Sequence, residues 1–269
     1  MNPRRIFAVF IRQIFLIISN PTRLTGMFIW LIIAIVQWGF ITKYLGILGK
    51  ATFSFITVIL GAVILWEFMS RIQQGTMTAF LEDIWSQNFI NYFASPLKVS
   101  EYIAGLILTS VVSTILSFIV MNLIAGLAFG YNIFKLGLLL LPFITILFFF
   151  GMAMGIFVSG MIFRLGPAAE WMGWPIPLVL SIFCGVFYPL KTLPQVMRIV
   201  SYMLPPAYIF ESMRSLLNSQ TLDNRLLIHL LIAGVMALLY LLLAYLFFNQ
   251  VYRRNLKTGS IARFTAEEV

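Results

Sequence analysis

The sequence predicts an all-α protein that crosses a membrane several times, and three observations carry that prediction. The first is composition: of 269 residues, 61% are apolar and only 10% charged. A soluble domain sits nearer about 45–50% apolar and about 25% charged, and a water-soluble globule of this length has no interior large enough for the difference. The second is pattern, because apolar stretches near the roughly 20 residues that a span requires recur six times. The third is the placing of cations, which fall mostly between those stretches despite a net charge of +9. A disordered chain, a soluble nucleic-acid binder and a secreted disulfide scaffold are excluded together, the last because Cys184 is the sole cysteine.

Residues 3–19 differ from the spans. Arg5, Ala8, Arg12 and Ser19 recur on one side at helical spacing, and Ile6, Phe7, Phe10, Ile14, Ile17 and Ile18 fall opposite. Such a helix lies in the membrane interface, its cationic face expected toward lipid headgroups. Asn20-Pro21-Thr22 breaks it before the first span. Spans are expected from about Leu24 to Ile41, Phe53 to Met69, Tyr102 to Phe129, Leu136 to Phe163, Trp171 to Tyr188 and Leu226 to Phe248. Pro142 inside the fourth predicts a kink or tilt. The basic start, Arg4-Arg5, leads to no small-residue cleavage site, so no cleavable signal is expected. The whole chain, 1–269, reads as one domain.

An even number of spans places both termini on one side. That side collects Arg4, Arg5, Arg12, Arg23, Arg71, Lys98, Arg164, Arg253, Arg254, Lys257 and Arg263, eleven of the eighteen cations. The positive-inside rule then puts both termini in the cytoplasm of a multi-pass inner-membrane protein. The cytoplasmic link 70–101 exceeds a turn by far and is expected to hold a short amphipathic helix, Gln73 to Trp85, with Met77, Phe80, Leu81 and Ile84 on one face. The outer stretch 189–225 is too apolar for a solvated loop, and Pro189, Pro194, Pro205 and Pro206 cut it into pieces too short to span. It reads as a re-entrant hairpin buried against protein.

Chemistry is sparse. Gly46-Ile-Leu-Gly49-Lys50-Ala51-Thr52 fails as a phosphate loop, because Tyr44 stands where the first glycine belongs and Ala51 separates the lysine from the threonine. His229 is the sole histidine, which removes most metal centres and most base-assisted nucleophiles. Proton- or sodium-coupled carriers keep ionisable groups at mid-membrane, and here the one candidate, Glu67, lies near the inner end of its span with Arg71 four residues on. Glu67 and Arg71 are expected to form a boundary ion pair, and Glu211 and Arg214 to pair likewise outside. Gly151, Gly155 and Gly160 allow close helix approach, within one chain or between two.

The order of these features resembles the type-2 ATP-binding-cassette exporter permeases. The resemblance rests on the interfacial helix, Arg71-Ile-Gln-Gln-Gly75-Thr76 followed by an apolar helix, Ala94-Ser95-Pro96-Leu97, Tyr102-Ile-Ala-Gly105, and a closing hairpin. The hairpin is Tyr188-Pro189-Leu190, Leu193-Pro194 and Leu204-Pro205-Pro206-Ala207-Tyr208 with Glu211 and Arg214. Family members often carry an acid just before the Gly-Thr pair, where Gln73 and Gln74 stand here. The resemblance implies a homodimeric pathway driven by two separate ABC ATPase subunits. Those partners would bind ATP and Mg, and this chain would hold no cofactor and bind no nucleic acid. It further implies that the helix bearing Gly75, Thr76, Met77, Phe80, Leu81 and Ile84 seats in an ATPase groove. Pro189, Leu193, Pro194, Pro205, Pro206, Tyr208, Glu211 and Arg214 would form an outer gate in contact with membrane lipids. The expected cargo is lipid-like, a hydrophobic drug or a lipid-linked glycan. An ion-gradient-driven carrier and a membrane-embedded lipid-modifying enzyme are the alternatives.

Overall fold

A computed structural model describes residues 2–48, 53–86, 95–219 and 224–258, and every regular element in them is helical. The helices are α1 (Pro3–Ile18), α2 (Pro21–Ile47), α3 (Phe53–Trp85), α4 (Val99–Phe129), α5 (Leu140–Leu165), α6 (Glu170–Gly173), α7 (Pro175–Cys184), α8 (Gln195–Tyr202), α9 (Pro205–Ser219) and α10 (Asn224–Thr258). Local chemistry sets the boundaries. Asn2 and Asn20 cap α1 and α2 by accepting the backbone N–H groups of Arg4 and Thr22, with Pro3 and Pro21 in the first turns. Gly130 ends α4 at φ 64°, a left-handed conformation that favours glycine.

Among the described residues, four helical segments are long and apolar enough to cross a membrane: Phe28–Ile47, Val99–Phe129, Leu136–Leu165 and Asn224–Thr258. Their outward faces are apolar, as Trp30, Phe40, Leu127, Leu138 and Leu231 show by their exposure, which is the surface that lipid requires. α3 is central. It packs against α2, α4, α5 and α9, while α10 lies along α5 and α1 along α4. Small residues bring these axes together. A Cβ on Gly155 would stand 2.7 Å from the Thr76 Cβ and 3.0 Å from the Gln73 carbonyl, and one on Gly151 2.8 Å from the Met69 carbonyl. Gly151 and Gly155 therefore serve the α3–α5 contact inside one chain, and Gly160 faces Phe247 of α10.

Three expectations change. Pro142 does not kink a long fourth helix, because α5 begins at Leu140 and holds the proline in its first turn. A 3-10 segment, Ile133–Leu139, with Gly137 at φ 61° takes up the rest. The stretch expected as a fifth span is two short helices, α6 and α7. Pro175 and Pro177, which donate no backbone hydrogen bond, stand at the start of α7, and Gly185 at φ 66° follows its end. At 1.5 Å per residue, Glu170–Cys184 reaches only about 22 Å, short of a hydrocarbon core of about 30 Å. Finally, Gln73 to Trp85 is not a separate helix but the continuation of α3, whose 33 residues carry no proline.

Two ends of the bundle are distinct. Val9, Met77, Phe80, Leu81, Tyr102, Phe163, Phe248 and Val251 form a core at the end bearing both chain termini. At the opposite end, Leu60, Ile64, Trp66, Phe143, Phe210 and Met213 form the larger core beneath α9.

Candidate functional site

At the end bearing the termini, two carboxylates fix α1 to the rest of the chain. Asp83, on the last turns of α3, has no exposed surface. It pairs with Arg12, accepts the Tyr102 hydroxyl at 2.6 Å and receives Gln13 Nε2 at 3.2 Å on each oxygen. Burial pushes its carboxyl above the ordinary range, while Tyr102, Arg12 and Gln13 pull it back. Glu101, in the first turn of α4, accepts the backbone N–H of Asn2 at 2.7 Å and of Lys98 at 3.1 Å, with Arg5 at 3.4 Å. Between the two acids α1 presses directly on α4, where a Cβ on Gly105 would lie 2.6 Å from that of Val9.

Arg5 and Arg12 thus turn toward protein acids as well as the interface, which corrects the expectation of a cationic face turned to headgroups. Phe7, Ile11, Phe15 and Ile18 form the exposed apolar stripe of α1 instead. A groove of about 340 Å³ runs between α1 and the residues leading into α4, lined by Arg5, Ala8, Val9, Arg12, Ser95, Pro96 and Leu97.

The residues expected to seat in an ATPase groove lie elsewhere than expected. Met77, Phe80 and Leu81 have no exposed surface, and Thr76 and Ile84 are buried too. Phe80 meets Phe163 and Phe248 edge-on at 5.8 Å each, and the Thr76 hydroxyl donates to the Ile72 carbonyl at 2.9 Å. Gly75 faces Ser110, whose hydroxyl would stand 2.7 Å from an added Cβ. Packing against α4, α5 and α10 takes the apolar face for the chain's own interior. Between the last turn of α3 and the start of α4 the exposed positions are Trp85, Ser86, Ser95, Pro96 and Lys98, and residues 87–94 lie outside those described.

α3 carries a second pattern that the sequence reading missed. From Val58 to Ile84 the residues that escape burial are Glu67, Arg71, Gln74, Gly75, Thr78 and Glu82. Their spacing of three and four puts them on one face, and none is apolar. Glu67 and Arg71 stand one turn apart on this face, and the buried Nε of Arg71 has no hydrogen-bond acceptor among the described residues. Toward the opposite end the stripe closes, since Leu60, Val63 and Ile64 are buried and Trp66 packs on Phe210 at 6.0 Å. Gln73 points the other way and donates to the Gly173 carbonyl at 3.4 Å.

The proline-rich segment folds as a series of short helices. Pro194 precedes α8, and Pro205 and Pro206 open α9. Leu190, Leu193 and Ala207 share a small core beside Tyr188 and Met197. Glu211 accepts the Leu190 backbone N–H at 2.8 Å and lies 3.5 Å from Arg214, which donates to the carbonyls of Gly185 and Val186. The Tyr208 hydroxyl donates to the Tyr202 carbonyl at 3.0 Å, and its ring meets His229 edge-on. Val196, Ile199 and Met203 of this segment remain exposed. The residues expected to form an outer gate all fall in this segment, with Pro189 immediately before its first helical turn.

Apolar outer walls and, among the described residues, four helical segments long enough to cross a membrane define a polytopic membrane protein. The sequence profile of the ABC-2 type transporter membrane domain matches residues 4–218. The chain belongs to that family, whose permeases generally work with ABC ATPase subunits. A search of curated proteins finds no match.

Proposed function

We propose that this chain is the transmembrane permease of an ATP-driven exporter, working as a homodimer with two ABC ATPase subunits that bind ATP and Mg. The terminus-bearing end faces the cytoplasm, in keeping with its eleven cations. In this reading the short α6–α7 pair completes a six-crossing topology together with Gly185 to Tyr188, and the hairpin 189–225 closes the outer side.

The observation that carries this reading is the polar stripe of α3. Lipid does not solvate Glu67, Arg71, Gln74, Thr78 and Glu82 in a row, and a stripe of this kind faces water or a second protein surface. It opens at the cytoplasmic end and closes near Trp66 and Phe210, the arrangement of an inward-facing pathway. ATPase docking belongs to the exposed surface at Trp85, Ser86, Ser95, Pro96 and Lys98. The buried residues from Gly75 to Ile84 then form the stiff lever behind it. The stripe mixes both charges with amide and hydroxyl groups beside apolar walls, which suits an amphipathic cargo, lipid-like or lipid-linked.

Cysteine labelling tests the stripe, because the sole native cysteine, Cys184, is buried. Gln74→Cys and Thr78→Cys are expected to react with a membrane-impermeant thiosulfonate from the cytoplasmic side of vesicles, and to lose reactivity when the ATPase traps ATP. Reaction with lipid-soluble reagents alone would place the stripe in the bilayer and remove the pathway.

A further inference from the structure

We infer that Asp83 is a positioning residue for energy coupling: it keys the interfacial helix α1 to the end of α3, so that α1 and that end of α3 move as one block. The inference rests on the transport reading for its consequence and on geometry for its cause. A carboxylate without exposed surface is costly unless fully partnered, and Asp83 takes its partners from two other helices: Arg12 and Gln13 from α1, Tyr102 from α4. Gln13, itself 1% exposed, also donates to the Ala79 carbonyl at 3.1 Å. Arg12 reaches on to Ser86 at 3.3 Å, the last described residue before the link. Glu101 holds the start of α1 from the other side.

The remainder of α1 does not supply this attachment. Its outward stripe, Phe7, Ile11, Phe15 and Ile18, is exposed and suits lipid, which fixes depth but not direction along the membrane plane. Direction comes from the acid contacts and from the Val9–Gly105 contact. A force applied by an ATPase at the end of α3 is passed to α1 through Asp83, and α1 in turn keeps that end at constant depth. Without Asp83 the two slide, and ATP hydrolysis continues without moving the pathway.

The test uses the full chain with its ATPase in lipid nanodiscs. Ala8 and Leu97 line the same groove from α1 and from the link, so an Ala8→Cys/Leu97→Cys pair treated with a short bismaleimide reports whether α1 stays in place. Asp83→Asn and Arg12→Gln are expected to slow this cross-linking. They should also reduce ATP-dependent protection of Thr78→Cys by about fivefold or more, the lower range of a typical coupling free energy. ATP hydrolysis by the assembled complex should change less than about twofold, below that coupling range. Arg12→Lys, which keeps the charge, retains most of the protection. A completed cross-link restores protection in Asp83→Asn, a rescue that a simple loss of folding would not allow.

The inference is overturned if Asp83→Asn and Arg12→Gln leave both cross-linking and protection at parental levels, or if the cross-linked Asp83→Asn chain stays uncoupled. If no ATPase assembles with the parental chain, the exporter reading fails. The cross-linking rate, which needs no ATPase, still decides whether Asp83 holds α1: slowing supports the key and an unchanged rate contradicts it.

Discussion

Single side chains at the terminus-bearing end have consequences that their exposure decides. Phe80 and Leu81 have no exposed surface, so an aspartate at either position buries an unpaired charge. Phe80→Asp and Leu81→Asp are expected to lower the yield of monodisperse chain in mild detergent severely. A normal yield with lost ATPase binding would instead make these residues a docking face. Gly105 makes a sharper probe, since even one methyl meets Val9. Gly105→Ala is expected to destabilise by about 1–3 kcal/mol through overpacking, read as a lowered thermal midpoint, with faster exchange of the α1 backbone amides. Glycine is a poor helix former, so a raised midpoint would show that α1 gives way easily at this contact.

At the scale of elements, the exposed end of α3 and the start of α4 should behave differently from the buried lever behind them. Trp85→Asp and Leu97→Asp are expected to reduce ATPase co-purification while leaving the chain folded and membrane-inserted, because Trp85 is 53% exposed and Leu97 lines the open groove. Retention of the ATPase at parental yield by both variants would move docking elsewhere. The sequence made α1, its Asn20-Pro21 break and the proline-bounded starts of α8 and α9 legible, since capping residues and prolines act locally and leave the same mark in any context. It did not reveal that Met77, Phe80, Leu81 and Ile84 face inward. An apolar stripe at helical spacing looks the same whether it meets a partner or the chain's own α5 and α10. The α3 stripe was readable in principle: Glu67, Arg71, Gln74, Thr78 and Glu82 keep a spacing of three or four. Reading a span and a link as separate elements cut that pattern in two. Asp83 and Glu101 carried a fainter signal, as two of only nine acids in the chain, and their partnership with Arg12 and Arg5 spans 71 and 96 residues, beyond the reach of local pattern.

For the whole molecule, the apolar outer walls and the family assignment agree that this is a membrane transport component, and composition alone had indicated the membrane. The short α6–α7 pair shows why counting apolar runs overstates what one helix can cross: Pro175, Pro177 and Gly185 interrupt a stretch that hydropathy reads as continuous. The central claim is that the chain works as the pathway of an ATP-driven machine and carries no motor of its own. The most direct test is to purify the tagged chain from its native host in mild detergent and identify what accompanies it. The account predicts an ABC ATPase at one copy per permease, with ATP hydrolysis in the preparation. Repeated isolation of the chain alone, with transport following a proton or sodium gradient and indifferent to ATP, would contradict it.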